Sequence, residues 1–483
     1  MTDHPKSYRM TTLGCRANHA EQREMEAILN AKGLIRTESG MPASLEVVHT
    51  CSVTSRAAAK SRQSIRQAAR KRGPGHEPSK VIVTGCFASM EPDVAQRLVN
   101  SDEPASPGTV IGHHHEDGRS MIERFRSEVD AWLSSPSSRA TSVKQATLHL
   151  PLVELPNQRA HHTRAEIRIQ DGCDAHCTFC IIPKLRPDLR SKRLQDVIEE
   201  ARRLVDLGHN EIVLTGIFIG AFGHETAIHR RQDFQPETRL SELVDSVAAI
   251  PGVQRLRISS MEPMDVTEDL LDAMVANPRI VVPHLHLPLQ SGSDRILRRM
   301  NRQYNASAYL EMIEMAEEAL TLDGLPPAIT TDVICGFPGE TEDDFQGTVE
   351  MARRVGYLHM HTFRFSPREG TAAARWKSQF VHDETIRSRV KRLHTLENDP
   401  QDGLAIKYRR QLVGREHRLI MEQPDPDHPG RWLGRCDHYE RFTVEGDFHK
   451  GQLVRTLIEN LDESPTPARI ISSDHRLQLM PYS

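Results

Sequence analysis

The chain has 483 residues, 38% of them hydrophobic and 27% charged, with a formal net charge of −4 at pH 7. That length exceeds one ordinary core, so roughly two to four domains are expected, and no global positive charge marks the surface for nucleic acid. With no apolar run of about 18 residues and no signal-like start in "MTDHPKSYRM", a membrane span is excluded and the cytoplasm is expected, where eight cysteines serve as thiolates, not as a disulfide framework.

Three strand-like runs open the chain, and each ends in a cysteine: "YRMTTLGC" at Cys15, "SLEVVHTC" at Cys51 and "KVIVTGC" at Cys86. Helical patterns follow, in "NHAEQREMEAILNAKG", "SVTSRAAAKSRQSIRQAARKRG" and "EPDVAQRLVN". Repeated strand–helix units predict a parallel sheet with right-handed crossovers, whose strand C-termini share one edge. Cysteines there converge in space, a geometry that can hold an iron–sulfur cluster by three thiolates. Simple burial is the competing reading for any one cysteine. Repetition of the same strand-end position favours the cluster.

Residues from about 101 to 160 read as a turn-rich transition zone around one helical stretch, "RSMIERFRSEVDAWL". Its triple histidine, His113 to His115, is expected in a solvated loop, because no further ligand lies at useful metal spacing. From Ala165 to about Ser366 the alternation resumes with larger periods. Strands are expected at "AEIRIQ", "NEIVLTG", "RLRISS", "HLHLPLQ", "AITTDVICG" and "LHMHTFRFS". Six parallel strands with outer helices predict a barrel or an open barrel arc, with its site at the C-terminal strand ends. Polar residues collect there: Thr215 and Gly216 after the second strand, Ser259, Ser260 and Glu262 after the third, Gln290 after the fourth. Asp332 lies within the fifth, which leads into "GFPGE".

Directly after the first of these strands, "IRIQDGCDAHCTFCIIP" sets Cys173, Cys177 and Cys180 at C-x₃-C-x₂-C spacing with no fourth cysteine. Closed structural zinc sites take four ligands, which leaves zinc as the weaker alternative. Three thiolates instead hold three irons of a four-iron, four-sulfur cube and leave the fourth iron open to a small molecule. S-adenosylmethionine can chelate that iron through its amino and carboxylate groups. An electron then cleaves its sulfonium bond to a 5′-deoxyadenosyl radical, chemistry that belongs to the cofactor.

"GCDAHCTFCIIP" resembles the radical S-adenosylmethionine signature. Together with "TLGCRAN", "HTCSVT", "VTGCFA", "ISSMEP", "LPLQSGSDRILRRMNR" and "DVICGFPGETEDDF", nearly the whole chain resembles the methylthiotransferase family. The resemblance implies two 4Fe–4S clusters, an auxiliary one on Cys15, Cys51 and Cys86 and a radical-generating one on Cys173, Cys177 and Cys180. It implies two uses of S-adenosylmethionine, one as methyl donor and one as radical source; their place on the barrel strands makes Thr215, Gly216, Ser260, Glu262, Gln290 and Asp332 the expected cofactor contacts. The implied α/β architecture is an N-terminal flavodoxin-like parallel-sheet domain (1–125), a linker (126–158) and a radical core with a partial (β/α)6 barrel (159–395). A helical connector (396–410) and a small antiparallel β-barrel similar to the RNA-binding TRAM domain (411–483) complete it.

Within the family, "GCRAN" and "TCSVTSRAAAKSR" resemble the branch that adds methylthio to C2 of N6-threonylcarbamoyladenosine, 3′ of the tRNA anticodon. The isopentenyladenosine branch typically reads "GCQMN" and the ribosomal-protein aspartate branch "GCPKN". Departures from the pattern are His49 where Asn is usual, "GIFIG", "RPDLRSK", "VIGHHHEDG" and a longer loop at 223–240. The helix after Cys51 carries Arg62, Arg66 and Arg70 on one face, with no acid between Ser52 and His76. A phosphate track for the tRNA anticodon arm and a merely solvated basic face account for it equally. The tail from Ala405 to Ser483 holds equal numbers of basic and acidic residues, so it shows no electrostatic footprint of its own. The expected partners are tRNA and an electron donor such as flavodoxin or ferredoxin, with no DNA and no membrane. The competing functions are radical chemistry on a protein side chain and an iron–sulfur electron carrier without catalysis.

Overall fold

The computed structural model describes residues 6–37, 41–73, 78–100, 108–113, 119–134, 150, 163–228, 236–461 and 466–472. The first part runs β1 (Ser7–Thr12), α1 (Arg16–Ala31), β2 (Ile35–Arg36), β3 (Leu45–Thr50), α2 (Ser55–Ala69), β4 (Lys80–Gly85), α3 (Cys86–Met90), α4 (Pro92–Val99), β5 (Gly108–Ile111) and α5 (Met121–Leu133). All five strands are parallel, in the order β2-β1-β3-β4-β5, which is the flavodoxin-like winding. β3 is buried at every position, as a central parallel strand covered on both faces must be. Thr54 starts α2 by accepting the Ala57 N–H, and a Ser120–Glu123 capping box starts α5.

β5 corrects the reading of residues 101–160 as mere transition. Four residues between turn-rich flanks carry no periodicity, yet they complete the sheet beside β4. α5 then lays Met121, Ile122, Phe125 and Val129 on the same core as Met25 and Leu29 of α1.

The second part contains β6 (Ala165–Asp171), α6 (Ile182–Leu185), β7 (Arg190–Ser191), α7 (Leu194–Asp206), β8 (Glu211–Gly216), α8 (Leu240–Ala248), β9 (Arg255–Ile258) and α9 (Glu268–Ala276). It continues with β10 (His284–His286), α10 (Asp294–Met300), α11 (Ala306–Leu320), β11 (Ala328–Cys335), α12 (Glu342–Val355) and β12 (His359–Arg364). β6-β8-β9 and β10-β11-β12 are parallel ladders, joined by a parallel bridge between Leu256 and Val281. The six expected strands therefore form an open arc, with β7 added antiparallel at its β6 edge. Leu256, Ile258, Leu285 and Val333 join the core beneath the outer helices, and so does Cys335. By strand alternation Arg255, Arg257, His284, His286 and Asp332 face the other side, the lumen.

α13 (Asp383–Asn398) and α14 (Leu404–Leu412) lead into β13 (Glu416–Pro424), β14 (Arg431–Arg435), β15 (Arg441–Glu445), β16 (Leu453–Ile458) and β17 (Ala468–Ser472). These strands are antiparallel in the order β15-β14-β13-β16-β17. The sheet curls into a half-barrel, so that Thr443 N–H reaches the Thr466 carbonyl at 2.9 Å. Among the described residues no helix is long and apolar enough to cross a membrane.

Candidate active site

Cys15, Cys51 and Cys86 sit at the C-terminal ends of β1, β3 and β4, which are neighbours in the sheet. Glycine makes their approach possible. A Cβ on Gly14, whose φ is +116°, would stand 3.0 Å from the Cys51 Cβ and 2.7 Å from Asn18 Nδ2. Asn18 ties the two loops by donating to the Leu13 carbonyl at 2.6 Å and the Thr50 carbonyl at 3.1 Å. Burial pushes the Cys51 thiol up and the Cys86 thiol to about 12, and the neighbouring thiols of the trio push the same way. Without a metal these thiols stay protonated; a cation reverses that preference.

The second trio follows β6. Gly172 has a φ of +83°, and a Cβ there would lie 2.0 Å from the Asp188 carbonyl oxygen, so the turn into the loop requires glycine. Cys173 N–H donates to the Arg186 carbonyl at 3.0 Å, and Cys180 N–H to the Cys177 carbonyl at 3.1 Å. Burial pushes Cys173 up, and Cys180 to about 12. Burial also raises Cys177, opposed by Arg302, whose Nη1 donates to Sγ at 3.3 Å. The other arm of Arg302 donates to both oxygens of Glu262 at 2.6 and 2.5 Å. Glu262 thus serves the cysteine loop through Arg302. Thr226, beyond β8, ties to the same segment by donating its Oγ1 hydrogen to Asp174 at 2.6 Å.

One short helix separates the trios. Cys86 packs with Ile181 and Leu185, while Ile182 packs against both that group and the group containing Cys173. Behind this wall lies a buried charge network. Arg186 donates to Glu21 at 2.7 and 2.8 Å and to Asp171 at 2.6 Å. His49 approaches Glu21 at 3.1 Å. Burial alone would raise Glu21, but Arg186, His113 and His49 hold it well below the usual carboxylate range. His113 corrects the solvated-loop reading: its side chain is 4% exposed, 3.0 Å from Ser89 Oγ and 3.5 Å from Glu21. β5 carries it to the sheet edge. His114 and His115 lie outside the described residues.

The remaining rim residues divide between the two ladders. Thr215 Oγ1 accepts from Ser259 Oγ at 3.2 Å, and Gly216 lies against Gln170, where a Cβ would come within 2.8 Å of its carbonyl oxygen. Across the lumen Gln290, with φ +63°, donates its N–H to the Asp332 carbonyl at 2.8 Å. The Asp332 carboxylate lies 3.3 Å from His286, and the His286 and His361 rings are 5.6 Å apart. Ser260 is exposed. On α2, Arg66 and its C-cap Arg70 are exposed, while Arg62 lies 3.8 Å from Glu91 and over the Phe87 ring. Sequence reasoning missed Glu21, His286 and the role of Arg302, because each acts through partners remote in the chain. The "LRRMNR" run containing Arg302 was the one available signal.

Residues 167–352 match the model of the Radical SAM superfamily, and residues 7–103 match Uncharacterized protein family UPF0004. The chain is 33% identical to the Bacillus subtilis "Threonylcarbamoyladenosine tRNA methylthiotransferase MtaB" over 94% of its length and 97% of that protein. A Thermotoga maritima protein of the same name is 32% identical over 95% of both chains. A Frankia alni "tRNA-2-methylthio-N(6)-dimethylallyladenosine synthase" is 33% identical over 89% of this chain and 81% of its own. Among solved structures, a radical S-adenosylmethionine methyltransferase from Kitasatospora setae shares the fold, with a TM-score of 0.50 over 77% of each chain at 12% identity. The chain belongs to the radical S-adenosylmethionine tRNA methylthiotransferase family. Its cofactors are S-adenosylmethionine and two 4Fe–4S clusters. The residues fit them: six of the eight cysteines form two trios of free thiols, and the other two, Cys335 and Cys436, belong to other cores.

Proposed function

We propose that the chain adds a methylthio group to C2 of N6-threonylcarbamoyladenosine, the tRNA nucleoside 3′ of the anticodon. The shared wall carries this reading. With α6 packed against Cys86 and, through Ile182, against the group of Cys173, one nucleobase edge at this wall would face both the auxiliary cluster that Cys15, Cys51 and Cys86 would hold and the radical-generating cluster that Cys173, Cys177 and Cys180 would hold. When bound, the second cluster and S-adenosylmethionine supply the 5′-deoxyadenosyl radical that takes hydrogen from carbon. Thr215, Gly216, Ser260, Gln290 and Asp332 hold S-adenosylmethionine at the rim, and Glu262 orients Arg302 against Cys177. Arg62, Arg66 and Arg70 hold backbone phosphates of the anticodon arm. A flavodoxin- or ferredoxin-type donor supplies electrons in the cytoplasm.

Two relatives named for threonylcarbamoyladenosine align over 94% and 95% of the chain and support the substrate, as does "GCRAN" at Gly14–Asn18. The Frankia alni relative keeps isopentenyladenosine as the second reading. Mass spectrometry of nucleosides after reaction with tRNA carrying either modification separates them. The product from threonylcarbamoyladenosine is expected, and methylthiolation of isopentenyladenosine in preference overturns the assignment.

A further inference from the structure

A cysteine and two histidines outside both thiol trios meet in the half-barrel. His417 lies on β13, and Cys436 and His438 belong to the turn joining β14 to β15. One nitrogen or sulfur atom from each lies within 4.8 Å of the other two. All three residues are buried, at 5%, 0% and 9% exposure.

The imidazoles are prepared as ligands. His417 Nε2 lies 3.0 Å from the Leu412 carbonyl oxygen, which can only accept, so Nε2 carries the proton and Nδ1 the lone pair. Metal-bound histidines are held in this way, by a second hydrogen bond from the far ring nitrogen. His438 Nδ1 is buried with no hydrogen-bond partner, a condition that native interiors avoid unless something fills the place. Two imidazoles and a thiolate suit zinc, whose nitrogen and sulfur donors sit at about 2.0–2.3 Å in a tetrahedral set with room for a fourth ligand.

We propose that His417, Cys436 and His438 bind one zinc ion that pins the β14–β15 turn. Cys436 gives up its thiol proton to solvent as the zinc–sulfur bond forms, and no electron transfer is involved. The turn needs such a pin. Tyr439 adopts a left-handed backbone with φ +71° and stacks on His284 of the barrel with ring centroids 4.3 Å apart. Arg16, next to the cluster cysteine Cys15, donates to the Tyr439 hydroxyl at 2.7 Å. Zinc on one side of the turn therefore fixes a contact that joins all three parts of the chain on the other.

The test uses full-length protein reconstituted with iron and sulfide, then given zinc alone and desalted. Wild type is expected to hold about one zinc per chain beyond its iron. Cys436→Ala and His438→Asn should each lower zinc content at least about tenfold with iron content unchanged, which also shows that the variants fold. Zinc K-edge absorption should report one sulfur and two or more light-atom ligands. Wild type without zinc, zinc retained in both variants, or a shell of three sulfurs, as zinc held by a thiol trio would give, each overturn the proposal.

Discussion

At the scale of single residues, Arg302 ties the Cys177 loop to the barrel rim. It donates to Cys177 Sγ at 3.3 Å and to both Glu262 oxygens, and its own side chain is 5% exposed. Removing one partner of a buried ion pair costs about 3–5 kcal/mol, because the other charge stays behind. Arg302→Met is therefore expected to leave Glu262 facing the thiolates, to lower the unfolding midpoint and to cut iron to roughly half of about eight per chain. Glu262→Gln is the milder change, since Arg302 still faces thiolate charge, and it should keep full iron. Iron content and thermal unfolding of both variants check this, and equal iron in the two would show that Arg302 does not support the loop. The Cys173, Cys177 and Cys180 trio stood out in the sequence because its spacing is local, whereas Cys15, Cys51 and Cys86 stood out only because each ends a strand-like run. Glu262 was legible as a rim residue but not as a partner of Arg302, which lies 40 residues further on. Hydrogen bonds of that range leave no mark on composition or period.

At the scale of elements, the strand–helix alternation was legible where strands are long and apolar, as in "EIVLTG" of β8, buried at all but its last position. It failed at β5, where Gly108–Ile111 are held by the neighbouring strand and not by their own pattern. His113 was misplaced for the same reason: Glu21 on α1 and Ser89 on α3 make it a buried residue, and neither adjoins it in the chain. α2 shows the reverse case, a pattern legible at once but uneven in space. Arg62 already faces Glu91 and Phe87, whereas Arg66 and Arg70 are exposed. If α2 tracks phosphates, each lost contact should reduce the slope of log affinity against log salt by about 0.7–0.9. Arg66→Ala with Arg70→Ala should remove nearly twice that, and Arg62→Ala less than either alone. An unchanged slope in the double variant, measured by tRNA binding across a salt series, would take α2 out of the RNA surface.

At the scale of the whole molecule, the barrel lumen is closed from below by the C-terminal half-barrel, and charge makes the closure. Arg255 and Arg257 project from β9 to Glu211, with contacts of 3.2 and 2.9 Å. Arg255 also reaches the Asp437 carboxylate at 3.1 Å and the Cys436 carbonyl at 3.0 Å. Nothing in the sequence announced this, because "RLRIS" reads as an ordinary strand with two polar positions. Burial would raise Glu211, but Arg255, Arg257 and Arg164 bring it down to about 2. Burial lowers Arg257 to about 10, so the group stays fully ionised at neutral pH. A carboxyl depressed by folding stabilises fully above its unfolded value of 4.5 and loses that contribution as pH falls toward 2. Its share is at most about 3 kcal/mol, the free energy of that depression. Between about pH 5 and 3, hydrogen exchange in β13–β15 should therefore accelerate as Glu211 takes up its proton. Glu211→Gln should weaken this acid-dependent step and lower stability at pH 7 by about 3–5 kcal/mol, because buried Arg257 loses its carboxylate partner and Arg255 keeps only Asp437. Exchange of β13–β15 that follows the same pH course with and without Glu211 would show that the half-barrel does not dock through this charge cluster.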